Sequence, residues 1–120
     1  MLNKIPLFVW LCSCAAMSNP VSPPVEPMNA AATIRQELSE ATERAGTNRA
    51  EADQAWARAY DVFESQIEPQ IRQRCGRRTT TEIEYAFGTV RAVLDNNAEA
   101  AEAVETIHDS MSACLNSSEG

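Results

Sequence analysis

With 120 residues, 17 acidic side chains against 10 basic ones and a formal charge of −7, the chain has room for one small domain with tails, and none for a two-domain enzyme built on a nucleotide-binding unit. The acidic balance excludes general nucleic-acid binding, which needs a basic surface to neutralise phosphates. Of the residues, 44% are apolar but only 6% are aromatic, so any core must be small and rich in alanine.

The N-terminus runs Met1-Leu-Asn-Lys4, then the apolar stretch from Ile5 to Leu11, then small residues from Cys12 to Ala16. One lysine, a short apolar run and small residues, in that order, form the layout of a secretory signal. The run is too short to span a bilayer, which takes about 20 apolar residues. The alternative, a buried N-terminal strand or helix, fits poorly with the abrupt loss of apolar character at Ser18-Asn19-Pro20.

Within that stretch, Leu11-Cys12-Ser13-Cys14 resembles the bacterial lipobox: a leucine three positions before the modified cysteine, a small residue just before it, then the cysteine. The resemblance implies that residues 1–13 are removed, that Cys14 is diacylated on sulfur and that its new amine is often acylated in turn, with palmitate-type chains. Because Ala15 is not aspartate, it also implies the outer membrane, with the domain facing the periplasm. Cys12 departs from the pattern, in a position usually held by Ala, Ser, Thr or Val, and a 13-residue signal is short. The rival reading is ordinary signal-peptidase cleavage after Ala16, which would leave a secreted or periplasmic soluble protein. Several acyl chains bury enough methylene to hold a soluble domain at a membrane, where a single chain is marginal. After cleavage before Cys14 the chain loses Lys4 and no acid, so nine arginines face 17 acids at a charge of −8. Attachment would then rest on lipid, with no polybasic patch to assist it.

Residues 14–29 read as a tether. Four of the six prolines lie between Asn19 and Pro27, which predicts an extended, polyproline-like spacer at about 3 Å per residue. A Pro-x-x-Pro ligand role is the alternative, and standoff from the headgroups is the better explanation.

From Ala30 to Leu115 the pattern is helical throughout, which predicts an all-α fold of three to four helices after the signal peptide and proline-rich linker. The first helix is expected over Ala30–Ala45, with Ile34, Leu38, Ala41 and Ala45 on its buried stripe. Gly46-Thr47-Asn48 interrupts it or bends it, and Asn48 with Glu51 forms a capping-box-like restart. The second helix carries Trp56, Tyr60, Phe63, Ile67 and Ile71 at helical spacing, a stripe expected to be its buried face. Pro69 is expected to kink or divide it, and Gly76 suits the left-handed position at its end. A third helix starts by the capping of Thr79 or Thr81 and buries Ile83, Phe87, Val90 and Leu94. Asn96 with Glu99 caps the last helix, whose stripe is Ala100 or Ala101, Val104, Ile107, Met111 and Cys114 or Leu115. Residues 116–120 form a tail.

The mature domain keeps two cysteines, Cys75 and Cys114. In an exported protein an even pair reads as one disulfide, and antiparallel helices of similar length would return Cys114 to the side of Cys75. Closing a loop of about 40 residues stabilises by roughly 3–4 kcal/mol in the chain-entropy model. Two unpaired core thiols are the alternative. A catalytic thiol is disfavoured, because the chain has no Cys-x-x-Cys and His108 lies on another face of the helix.

Few residues carry chemistry. His108 is the single histidine, and with Glu105 it makes half of a di-iron Glu-x-x-His site that one histidine cannot complete; no metal and no cofactor is expected. Glu99, Glu102, Glu105 and Asp109 form an acidic stripe on the last helix. Arg72, Arg74, Arg77 and Arg78 cluster at the end of the second helix. Complementing the helix dipole explains them, and the functional alternative is a basic patch for an anionic partner such as a peptidoglycan carboxylate, a phosphate group or an acidic protein.

No set of nucleophile, base and orienting group can be assembled, so the chain reads as non-catalytic. The leading expectation is a lipid-anchored envelope module that binds another protein or peptidoglycan, with the membrane as its second partner. The alternative is an inhibitor of a lytic hydrolase. In its anchor, its small size, its cysteine-stabilised helices and its Ala52-Asp53-Gln54-Ala55-Trp56 region, the chain resembles the helical lysozyme-inhibitor lipoproteins, although their cysteine pattern is missing. That resemblance implies binding to a basic lysozyme, for which an acidic surface is complementary.

Overall fold

Helices form where the apolar stripes lie, and a computed structural model describes residues 25–116 of the chain. The element order is α1 (Val25–Arg44), α2 (Arg49–Val62), a π-helical turn (Phe63–Ile67), α3 (Glu68–Ala92) and α4 (Asn97–Leu115). The described residues contain helices and turns only, so the fold is an all-α bundle. The expected signal sequence, Cys14 and the greater part of the expected tether and tail lie outside the described residues.

α1 begins at Val25, inside the proline-rich stretch, where an extended tether was expected to reach Asn29. Pro27 falls in the first helical turn. There its missing N–H has no intrahelical partner to lose, and its fixed φ already suits a helix. The turn after Arg44 closes when the Thr47 and Asn48 amides both donate to the Arg44 carbonyl, at 3.0 and 2.7 Å. Asn48 then caps α2, its side chain accepting the Glu51 amide at 3.1 Å. α1 and α2 are therefore separate helices rather than one bent rod.

The regular helix is interrupted just ahead of Pro69, which falls in the first turn of α3. The five residues Phe63–Ile67 adopt a wider π turn, and the Glu68 amide donates to the Phe63 carbonyl. Proline at 69 supplies no N–H to Ser65, and its ring would press on that carbonyl in a regular helix. The local π turn relieves both problems. A further kink comes at Gly76, with φ 92° and ψ 171°. An L side chain is strained in that region, whereas glycine enters it freely.

The chain is helical again directly after Gly76, earlier than capping at Thr79 or Thr81 would allow. Thr80 is buried and donates its hydroxyl to the Gly76 carbonyl at 3.0 Å, so the threonine run ties the corner from inside the helix. At the far end, Asn96 caps α4 by accepting the Glu99 amide at 3.2 Å.

The core runs the length of the bundle. Ile34, Leu38 and Ala41 of α1 are fully buried, as are Ile67, Ile71, Phe87, Val90, Leu94 and Met111. On α2 the buried face is Ala52, Ala55, Ala59 and then Phe63, while Trp56 and Tyr60 pack on its flank only half-buried. Alanines at that spacing let α1 approach α2 closely, and the aromatic rings turn toward α3. Phe87 is the hub: its ring centroid lies 5.2 Å from those of Tyr60 and Phe63, and 6.2 Å from that of Trp56. The Trp56 indole N–H donates to the Phe87 carbonyl at 2.8 Å, and the Arg91 guanidinium covers the indole at 4.9 Å.

Exposed ion pairs join the helices, with Arg35 to Glu105 between α1 and α4 at 2.8 Å and Arg58 to Glu37 between α2 and α1 at 3.0 Å. Each contributes little alone, because water screens it. The covalent tie contributes more. Cys75 and Cys114 form a disulfide with their Cα atoms 6.2 Å apart, joining the Gly76 corner to the end of α4.

Candidate interaction surface

The four arginines expected to form a basic patch are divided by the fold. Arg72 pairs with Glu68 one turn earlier. Arg74 is half-buried and donates to the Leu115 carbonyl at 2.9 Å. Arg78 is almost wholly exposed and reaches Glu82 only at 3.5 Å. Arg77 is exposed and makes no ion pair among the described residues. Two of the four therefore hold structure in place, leaving Arg77 and Arg78 as an exposed pair beside the disulfide. Cys14 lies outside the described residues.

Glu105 and His108 do not act together. Glu105 is held bidentately by Arg35, with three contacts of 2.8 to 3.1 Å. His108 is half-buried; its Nε2 lies 3.4 Å from the Ser112 hydroxyl, and its Nδ1 is buried without a hydrogen-bond partner. Among the described residues no group of three or more His, Cys, Asp and Glu side chains could hold a metal ion. No described helix is long and apolar enough to cross a membrane.

A second acidic feature lies where α2 meets α3. Burial pushes the Glu84 carboxyl above its ordinary value, neighbouring Glu68 and Glu64 push it the same way, and Arg72 opposes them. The Tyr60 hydroxyl is raised too, first by burial and then by Glu64, Glu84 and Glu68. The four groups share one patch in which carboxylates crowd each other.

The clearest surface feature is an open groove of about 520 Å³ between α3 and α4. One wall is Glu82, Tyr85, Ala86 and Thr89 of α3 with Val93 just past its end, and the α4 wall is Glu99, Glu102, Ala103 and Thr106. Each wall is a helical stripe at spacing i, i+3, i+4, i+7. Because the helices are antiparallel, Glu82 stands at one end opposite Thr106, and Glu99 at the other beside Val93. Ala86 and Ala103 make a shallow floor between them. Tyr85 rises from it 79% exposed, the one large apolar side chain so exposed among the described residues.

Sequence reasoning marked Glu99 and Glu102 as part of an acidic stripe but missed the groove. The signal was present: Glu82-x-x-Tyr85-Ala86-x-x-Thr89 and Glu99-x-x-Glu102-Ala103-x-x-Thr106 are parallel patterns on the faces next to the core stripes. Their alanines read as ordinary helix filler until the two helices are set side by side.

No family model, curated protein or solved structure matches the chain.

Proposed function

We propose that this chain is a small, non-catalytic interaction module of the bacterial cell envelope, held by lipid at Cys14 and binding an envelope protein or peptidoglycan through its bundle. The observation that carries the binding role is the groove between α3 and α4, with Tyr85 standing exposed in it on a disulfide-stapled frame. A large aromatic side chain left in water beside a concave, mostly apolar surface is characteristic of a contact site. The lipid anchor rests on the lipobox-like Leu11-Cys12-Ser13-Cys14, and Ala15, which is not aspartate, supports an outer-membrane location facing the periplasm.

Two measurements test this. Mass spectrometry of the membrane-fraction protein is expected to find acyl chains on Cys14; a soluble, unlipidated form beginning at Met17 overturns the anchor. Photo-crosslinking residues placed across the bundle in living cells are expected to trap an envelope component, and silence at every position overturns the binding role.

The second reading, inhibition of a lytic hydrolase, is favoured by the acid-rimmed groove, which complements a strongly basic lysozyme. A lysozyme-protection assay decides it: retained lysis with the protein in micromolar excess removes the inhibitor role and leaves the module reading standing.

A further inference from the structure

We propose that the α3–α4 groove receives an amphipathic helix carrying lysine or arginine on its flanks, supplied by a partner protein. The inference rests on the interaction-module reading and specifies what the module binds.

The charge of the groove selects the partner's sign. Glu82, Glu99 and Glu102 line it and no basic side chain does. Glu99 and Glu102 have no ion pair among the described residues, and Glu82 has only the exposed contact with Arg78 at 3.5 Å. This contrasts with the α1 side of α4, where Arg35 neutralises Glu105 at 2.8 Å. The groove is also short of donors. The Thr89 hydroxyl donates to the Tyr85 carbonyl at 3.2 Å, and the Thr106 hydroxyl to the Glu102 carbonyl at 3.1 Å. Carboxylates accept and cannot donate, so apart from the Tyr85 phenol the lining asks its occupant to supply hydrogens and positive charge.

Shape selects a helix. One wall runs from Glu82 to Val93 and the other from Glu99 to Thr106, about 16 Å and about 10 Å at 1.5 Å per residue, so the stretch walled on both sides is roughly two helical turns long. A floor of alanines between two parallel stripes is suited to a helix laid in a groove, with apolar residues at i, i+3, i+4 and i+7 reaching the floor. Tyr85 would cover one side of that helix, and the carboxylates at both ends would meet its flanking cations.

The test uses the two tyrosines of the chain, Tyr60 and Tyr85. The full chain, labelled with 3-fluorotyrosine and reconstituted in nanodiscs of zwitterionic lipid, gives two fluorine resonances, which Tyr85→Phe assigns. It is titrated with a leucine–lysine peptide of about 14 residues patterned as an amphipathic helix, with its scrambled isomer, and with a leucine–glutamate version; empty nanodiscs serve as the blank. The expected result is a saturable shift of the Tyr85 resonance by the helical leucine–lysine peptide alone, with Tyr60 unmoved. The double variant Glu82→Lys with Glu102→Lys is expected to keep its melting temperature and to weaken that peptide roughly tenfold or more, because like charges then face each other. An unmoved Tyr85 resonance, equal binding of the scrambled or acidic peptide, or unchanged affinity in the double variant overturns the inference.

Photo-crosslinking in cells separates this from failure of the module reading. A crosslink from position 85 to a basic helical segment supports the inference. A crosslink from position 85 to a second copy of this chain or to a non-basic segment, or crosslinks from position 77 alone, overturns the inference and keeps the module. No crosslink at any position overturns both.

Discussion

Arg74 donates a hydrogen bond to the Leu115 carbonyl at 2.9 Å, one residue to either side of the Cys75–Cys114 disulfide. The covalent bond and the charged hydrogen bond therefore clamp the same joint, between the Gly76 corner and the last turn of α4. The carbonyl of Leu115 is among the four that a helix end leaves without an intrahelical partner, and a cation suits the negative end of the helix dipole.

Removing the disulfide by Cys75→Ala with Cys114→Ala is expected to cost about 4 kcal/mol in the chain-entropy model for a loop of this length. Arg74→Met is expected to cost about 1.5–3 kcal/mol, the usual size for a hydrogen bond to a charged group. Combined, the three substitutions should cost less than the sum, because an α4 end freed of its staple no longer holds the carbonyl in place. Urea unfolding of the four proteins measures this, and strict additivity would show that the two ties act independently.

Gly76 and Gly88 lie in the same helix and should respond oppositely to alanine. Gly76 has φ 92°, and the space around a Cβ there is open, so strain rather than a clash opposes substitution. Gly76→Ala is expected to destabilise by about 1–3 kcal/mol. Gly88 is exposed, helical and equally open, so Gly88→Ala is expected to stabilise by about 0.5–1 kcal/mol. Thermal melts of both variants check the pair of signs.

That contrast shows which features a sequence displays. The caps at Asn48 and Asn96 were legible because a cap is a local bargain among four residues: side chain, amide and spacing lie side by side in the chain. The disulfide was legible because antiparallel helices of similar length leave Cys114 few places to go. The first turn of α1 was not, because prolines in a row read as extended chain and only tertiary packing decides which of them begins a helix. The buried stripe from Trp56 to Ile71 was legible only in part for a related reason: Phe63, Ile67 and Ile71 are fully buried, whereas Trp56 and Tyr60 are half-buried. Trp56 and Tyr60 dominate any hydropathy reading, yet close approach of α1 favours Ala52, Ala55 and Ala59 at the contact. The division of Arg72, Arg74, Arg77 and Arg78 depends on Glu68 and on the end of α4, the latter 41 residues from Arg74. The groove needs two helices at once and belongs to neither stripe alone.

The aromatic hub gives a test of packing order. Phe87 is fully buried against Phe63, Tyr60 and Trp56, so Phe87→Ala is expected to cost about 3–5 kcal/mol through lost burial and a cavity. Trp56→Phe keeps an aromatic ring but loses the indole donor to the Phe87 carbonyl. Its expected cost is about 1 kcal/mol, smaller because the indole is only half-buried. Chemical denaturation should rank Phe87→Ala far below Trp56→Phe, and a reversed order would mean that the hub lies at Trp56.

Glu84 is expected to give the fold an uncommon pH dependence. Burial is the first cause of its raised pKa, reinforced by Glu68 and Glu64 and opposed by Arg72. A carboxyl whose pKa is higher folded than unfolded binds its proton more tightly in the native state. Its contribution to stability is therefore fully present below the unfolded value, which is 4.5, and is lost as pH rises through the folded value. Most acids at ion pairs behave in the opposite sense. Glu84→Gln removes the titrating group while keeping its shape, so the variant is expected to be more stable than the parent at pH 7. The advantage should shrink as pH falls toward 4.5, because the parent's carboxyl takes up its proton on the way. Urea midpoints of the two proteins between neutral and acid pH measure the difference directly, cancelling the carboxylates they share. A gap that stays constant or widens on acidification would show that Glu84 ionises as an ordinary surface acid.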